Sequence, residues 1–285
     1  MITLIIGPTA SGKSKLAMDM AIKEGGVIIN ADSMQMYEGL PILTAKPTEQ
    51  DIKNVPHLLY GIWDPKKQQN VTDWLKIIYE TLPNINKPIY IVGGTGFYIK
   101  ALIQGLSAVP AVDPSSRQQA RTMAHHLSTQ DFYDYVYQQD PFGAKDLHPF
   151  DQKRLIRLLE VIMSTGKPLH TFFDKLLYPP LAVDRTIFLN PKRINLHHHI
   201  LNRIHGMCDN GVMEEVGDFL KNTPHLDHVF QGVIGFKEIS LFLKKELSFE
   251  KTIDIMAQKT RQYSKRQVTF FSNQFQSFEN FGENF

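Results

Sequence analysis

Apolar positions recur along the chain in two periods. Ile2–Ile6 is a short, nearly continuous apolar run, the pattern of a strand covered on both faces. A glycine-rich turn follows, then Lys13–Lys23 with helical composition, then the strand-like Val27–Asn30. Strand, helix and strand in about 30 residues predict a βαβ unit and a parallel sheet. A further apolar run, Ile89–Val92, ends in Gly93 and Gly94 and leads into a helix-like stretch, Phe97–Gln104. No repeat, low-complexity tract or heptad run interrupts this alternation, which excludes solenoids and coiled coils.

The pattern changes at Leu106–Pro114, where Pro110 and Pro114 bracket a loop. Ser115–Ser164 then has helical periodicity with almost no strand signal and reads as an insertion that closes around Tyr178–Pro180. Thr186–Leu189 reads as one more buried strand, and helical patterns follow over Ile194–Leu220 and Phe249–Phe271.

Composition adds exclusions. In 285 residues, 42% apolar and 11% aromatic side chains can support a core, so the chain is not disordered. The single cysteine, Cys208, forms no internal disulfide, and no CxxC pair offers a zinc or redox site. Met1 leads straight into apolar residues without a basic leader, and no apolar run approaches the roughly 20 residues of a membrane span, so a cytoplasmic protein without a membrane partner is expected. With 31 basic against 29 acidic residues, net charge predicts no partner. Only local clusters are informative.

The chemistry begins at Gly7-Pro8-Thr9-Ala10-Ser11-Gly12-Lys13-Ser14, a complete GxxxxGK[ST] motif between a predicted strand and a predicted helix. Glycines turn successive amides toward one anion, the helix terminus and Lys13 add positive charge, and the Ser14 hydroxyl suits Mg²⁺. A di- or polyphosphate is implied, but the loop specifies the anion and not the reaction. Ile89–Val92 ends in Gly-Gly-Thr, where an NTPase often carries its Walker-B acid, a sign against ordinary ATP hydrolysis. The fold class expected is therefore α/β, a P-loop NTPase-like parallel sheet core with an inserted all-helical domain. Its parts are a first core segment (1–112), the insertion (113–182) and a second core segment ending in a basic helix (183–285).

Asp32 follows Val27–Asn30 at the sheet edge where open α/β folds hold ligands. It suits a Mg²⁺ ligand, a general base, or the N-cap of a helix starting near Ser33. Gly93, Gly94 and Thr95 are either a tight strand-to-helix turn or a second approach to substrate.

His148–Met163 reads as a helix with Asp151 as N-cap and Gly166 past its end. Leu155, Leu158, Leu159 and Ile162 form its apolar face, while Lys153, Arg154 and Arg157 gather elsewhere, only partly balanced by Glu160. This is a phosphate-backbone contact or a solvated face. The last helix carries Lys259, Arg261, Lys265 and Arg266 with no acid between them, and Phe249, Ile253, Met256 and Tyr263 at core spacing. His197, His198 and His199 are consecutive and point apart on a helix, which argues against a shared metal.

A series of segments carries a family resemblance: GPTASGKS at 7–14, ADSMQMY at 31–37, TAKPT at 44–48, VPH at 55–57, VGGTGFYIKAL at 92–102, HPFDQKRLIRLLEV at 148–161, TGKPL at 165–169, GFKE at 235–238 and TRQYSKRQVTFF at 260–271. In this order they resemble the tRNA dimethylallyltransferase family, also called tRNA isopentenyltransferase. The resemblance implies that the P-loop grips the pyrophosphate of dimethylallyl diphosphate, with Arg203 and Mg²⁺. It implies Asp32 as general base and Thr9 and Thr95 beside the reacting groups. The acceptor implied is N6 of the adenine 3′ of the anticodon, at position 37, in tRNAs reading codons that begin with U.

For the tRNA, the resemblance implies contacts from Asp32, Ser33, Met34, Gln35, Thr95, Arg117 and the segment Lys153, Arg154, Leu155, Ile156 and Arg157. A bacterial-type, stand-alone and monomeric enzyme is expected. Leu43, Gly61, Phe150, Phe236 and Phe270 depart from the family's usual Gly, Asp, Asn, Tyr and Trp. A small-molecule or nucleotide kinase and a non-catalytic RNA-binding P-loop protein are the competing readings.

Overall fold

A computed structural model describes residues 1–223, 227–275 and 279–281. The chain forms two compact units, one made of 1–103 with 181–285 and the other of the continuous stretch 104–180. The strands, in chain order, are β1 (Ile2–Ile6), β2 (Val27–Asn30), β3 (His57–Leu58), β4 (Ile89–Gly93), β5 (Leu106–Ser107), β6 (Leu176–Tyr178), β7 (Arg185–Leu189) and β8 (Glu279–Phe281).

The first unit is built on one parallel sheet with order β3-β2-β4-β1-β7-β8. Leu4, Ile5 and Ile6 of β1 are fully buried, as a central parallel strand between covering helices requires. β1 pairs with β4 on one side and β7 on the other, so the order departs from chain order beside it. Such a crevice, at the carboxyl ends of the strands, is where open α/β sheets bind ligands.

Lys13–Glu24 is the first helix, ended by Gly25 in the left-handed conformation. The expected helix over Ile194–Leu220 is two helices, Arg193–Asp209 and Val212–Asn222, broken where Gly211 takes φ 87°. The unit also holds the helices Val71–Thr81, opened by an Asn70–Asp73 capping box, Phe236–Leu243 and the long Phe249–Gln274. In the latter, Ile253 and Met256 are buried, but Phe249 is exposed at the first position and Tyr263 is only half-buried. The row of cations on this helix is also less free than its sequence suggests: Glu238, from the Phe236–Leu243 helix, pairs with Lys259.

The second unit holds the helices Pro114–His126, Thr129–Gln139 and Gln152–Thr165 and a small antiparallel β5–β6 pair. Asp113 and Ser128 cap the first two through Ser116 N and Asp131 N. Its core joins Ala120, Phe132, Val136, Leu155, Leu158 and Leu159. Among the described residues no helix is long and apolar enough to cross a membrane.

Candidate active site

The P-loop connects β1 to the Lys13–Glu24 helix through a chain of unusual backbone conformations. Gly7 has φ 150°, Ala10 62° and Gly12 91°. A side chain at Gly7 would place its Cβ 2.3 Å from the Leu189 carbonyl oxygen, so only glycine lets the loop pass the end of β7. Ala10 accepts a left-handed conformation at a cost of about 1 kcal/mol. Alternating signs of φ turn amides into a concave anion nest that continues into the helix N-terminus. Lys13 Nζ donates to the Pro8 carbonyl at 2.6 Å and so lies across the loop's mouth. Burial pulls its pKa down to about 7, with Asp32 opposing and Arg203 reinforcing the shift.

Asp32 leaves the end of β2 through a clamp made by Asn30, which is fully buried. Asn30 Oδ1 accepts from Asp32 N at 2.8 Å, and its Nδ2 donates to the Asp32 and Leu59 carbonyls, each at 2.9 Å. No helix starts at Ser33; residues 33–36 form a turn, in which Met34 N donates to Asp32 Oδ1 at 3.0 Å. The helix-cap reading is therefore corrected. Oδ2 makes no hydrogen bond among the described residues. Lys13 and Arg203 both feel the Asp32 charge without closing an ion pair with it. Burial lowers the Arg203 pKa against that attraction. Burial, followed by the Asp32 charge, pushes the Tyr60 and Tyr263 phenols above their ordinary pKa; Tyr98 is raised by burial first, then by Tyr37 and Asp73, with Asp32 contributing least.

Gly93 and Gly94 close the site from β4. A Cβ at Gly93 would lie 2.2 Å from the Ala31 carbonyl oxygen, and one at Gly94 would lie 2.3 Å from Gln267 Nε2. Both glycines thus permit close backbone approach, and Thr95 next to them accepts from Ser33 N at 3.0 Å through Oγ1. The carboxyl ends of the neighbouring β2, β4 and β1 thereby carry Asp32, Thr95 and the P-loop. No acidic side chain stands in the Gly93-Gly94-Thr95 turn.

Gln267 has no assigned role in the sequence reading, although it lies within the TRQYSKRQ segment. Its Oε1 accepts from Thr9 N at 2.8 Å and its Nε2 donates to the Gly94 carbonyl at 2.8 Å. One buried side chain of the C-terminal helix thus ties the P-loop to the β4 turn. Gln35, expected to face RNA, spends Nε2 on the Thr44 and Ala45 carbonyls instead. Glu215 braces the same segment by accepting from Ile42 N and Leu43 N.

In the second unit, Arg117 and Lys153 are exposed, and Arg154, its side chain 71% exposed, pairs with Asp151 at 3.3 Å. Arg157 pairs with buried Glu160 at 3.5 Å, and Arg121 joins the same carboxylate at 3.6 Å. Ile156 is half-buried. Leu155 is 0% exposed inside the unit's core, so the expectation of an RNA contact through its side chain is corrected. In the first unit, His197, Arg193, Lys192, Arg261 and Lys265 line a basic cavity of about 1150 Å³.

Among the described residues no group of three or more His, Cys, Asp or Glu side chains is placed to hold a metal. The exposed Ser14, second in its helix, is a hard oxygen donor that fits Mg²⁺ only as a partner to phosphate oxygens and water, the coordination this ion prefers.

A family model described as IPP transferase matches residues 35–274, and one described as isopentenyl transferase matches residues 1–61. The chain is 40% identical to a tRNA dimethylallyltransferase of Allorhizobium ampelinum over 278 residues, covering 95% of this chain and 91% of the relative. The enzyme of that name from Geobacter metallireducens is 38% identical, at 95% and 89% coverage. Among solved structures, the tRNA isopentenylpyrophosphate transferase of Bacillus halodurans is similar with TM-score 0.67 and 30% identity, over 99% of this chain and 89% of that one. A eukaryotic dimethylallyltransferase captured acting on tRNA is similar with TM-score 0.77 and 28% identity, over 95% and 69% of the two chains.

Proposed function

The chain belongs to the IPP transferase family of tRNA dimethylallyltransferases, and we propose that it moves a dimethylallyl group from dimethylallyl diphosphate to N6 of the adenine 3′ of the anticodon. The observation that carries the reading is the meeting of Asp32, Thr95 and the P-loop on adjacent strand ends, with no acid in the β4 turn. A kinase is not favoured, because the matching families and relatives are prenyl-transferring enzymes acting on tRNA.

N6 attacks the allylic carbon as the bond from that carbon to the diphosphate oxygen breaks, and pyrophosphate leaves with the electron pair. The amides of Ala10 and of Gly12 to Ser14, with Lys13 and Arg203, receive the charge that grows on the leaving group, while the Thr9 amide is held by Gln267; each well-aimed donor contributes roughly 3 kcal/mol of barrier lowering. An exocyclic adenine amine is a poor nucleophile, because its lone pair is delocalised into the ring. Asp32 takes its proton at the free Oδ2 as the new bond forms. Asn30 fixes the Asp32 backbone, and the Met34 amide holds the carboxylate through Oδ1. Thr95 and the Ser33–Gln35 turn position the base. Ser14 would hold Mg²⁺, which when bound supplies further neutralisation of the diphosphate.

The adenine must leave the loop stack to enter such a site, at a cost of a few kcal/mol that backbone contacts offset. Arg117, Lys153, Arg154 and Arg157 supply such contacts, with Arg157 partly engaged by Glu160. The decisive experiment incubates the protein with dimethylallyl diphosphate, Mg²⁺ and an anticodon stem-loop bearing three consecutive adenines. Mass spectrometry should show one added C5H8; ATP-dependent phosphorylation without alkylation would overturn the reading.

A further inference from the structure

Phe150 is the most exposed of the large apolar side chains described, at 76%. It sits at the tip of a turn closed by Asp151 N donating to the His148 carbonyl at 2.8 Å. Pro149 occupies the second position of that turn, where its restricted φ stiffens the backbone. The His148 ring lies nearly parallel to the Phe150 ring, 5.4 Å between centroids and 16° between planes. One face of Phe150 is thus backed, and its exposure leaves the other open. Asp151 holds the N-cap position of the next helix without a side-chain cap bond, and the exposed Lys153 and Arg154 lie in that helix's first turn, Arg154 paired with Asp151.

A pre-oriented aromatic face beside exposed cations is the arrangement that binds unpaired nucleotides, with stacking for the base and charge for the phosphate. Nucleic acid brings one phosphate with each base, which the exposed Lys153 can meet directly and Arg154 by exchanging its Asp151 partner. Resting on the proposed tRNA reaction, we propose that Phe150 is a stacking platform for an unpaired base of the anticodon stem-loop.

The test uses the full-length protein and anticodon stem-loop RNAs carrying 2-aminopurine at successive loop positions. Wild type should quench the fluorescence at one position. Phe150→Ala should abolish that quenching and weaken binding roughly 5- to 150-fold, the effect of losing one base–aromatic stack. Its salt dependence should keep the wild-type slope, because no phosphate contact is lost. Phe150→Trp should restore both affinity and quenching. Circular dichroism should show an unchanged fold for both variants.

Wild-type affinity and quenching in Phe150→Ala would overturn the proposal, as would a loss that Phe150→Trp fails to repair. If the alanine variant binds normally while wild type still adds C5H8 to the RNA, only the platform fails. If wild type adds none, the proposed reaction itself fails.

Discussion

Replacing Gln267 by alanine should loosen the P-loop from the far end of the chain. The side chain is 5% exposed and makes two hydrogen bonds of 2.8 Å, from Thr9 N and to the Gly94 carbonyl. Truncation leaves both backbone groups without these partners, at about 1–2 kcal/mol each, or about 2–4 kcal/mol together. For a chain of 285 residues that corresponds to a fall in Tm of roughly 3–7 °C. Because Thr9 belongs to the P-loop, proposed to hold the diphosphate, KM for dimethylallyl diphosphate should rise as well. Gln267→Glu keeps the acceptor for Thr9 but sets a carboxylate against the Gly94 carbonyl, so it should rescue neither quantity. Thermal unfolding and steady-state kinetics at saturating tRNA measure both. An alanine variant within about 1 °C of wild-type Tm and with unchanged KM would refute the idea that Gln267 holds the site together.

Asp32→Ala should lower turnover by roughly 100-fold or more while tRNA affinity changes little; equal losses in both would remove Asp32 from the proton-accepting role. Arg154→Ala with Arg157→Ala should weaken tRNA binding and flatten its salt dependence by about one unit per lost phosphate contact. An unchanged slope would return both to the solvated helix face. Lys13, with its pKa lowered to about 7, is increasingly neutral as pH rises above that value. Bound diphosphate raises the lysine pKa again, so binding pyrophosphate above about pH 7 should take up a proton, and affinity should fall with rising pH. Calorimetry in buffers of different ionisation enthalpy checks this; binding without proton uptake between about pH 7 and 9 would contradict it.

The central strands were legible because burial on both faces leaves an unbroken apolar run: Ile2–Ile6 and Val27–Asn30 have the bounds their patterns predict. The two-residue β3 and the segment β8 carry too little pattern to be seen, and Val71–Thr81 mixes β-branched and aromatic residues that blur helix and strand. The break at Gly211 was missed because apolar spacing continues into Val212 and Met213, although the backbone there turns left-handed. The P-loop declared itself because its chemistry is local, contained in successive residues. Gln267 did not: its function depends on which way one turn of a long helix faces, and on two backbone groups more than 170 positions away. Leu155 shows the converse, since a contiguous segment on a helix necessarily points some members into the core.

The pairing of β1 with both β4 and β7 also sets a timetable for synthesis. β1 and β4 have emerged once Gly93 is out, but the partner for the other edge of β1 begins only at Arg185. At translation rates of about 5–20 residues per second the nascent sheet waits several seconds with its middle strand half-paired. Meanwhile the helices of the second unit emerge complete. A newborn chain therefore carries a raw apolar seam, and holding that seam shielded until β7 arrives is the step at which aggregation competes with folding.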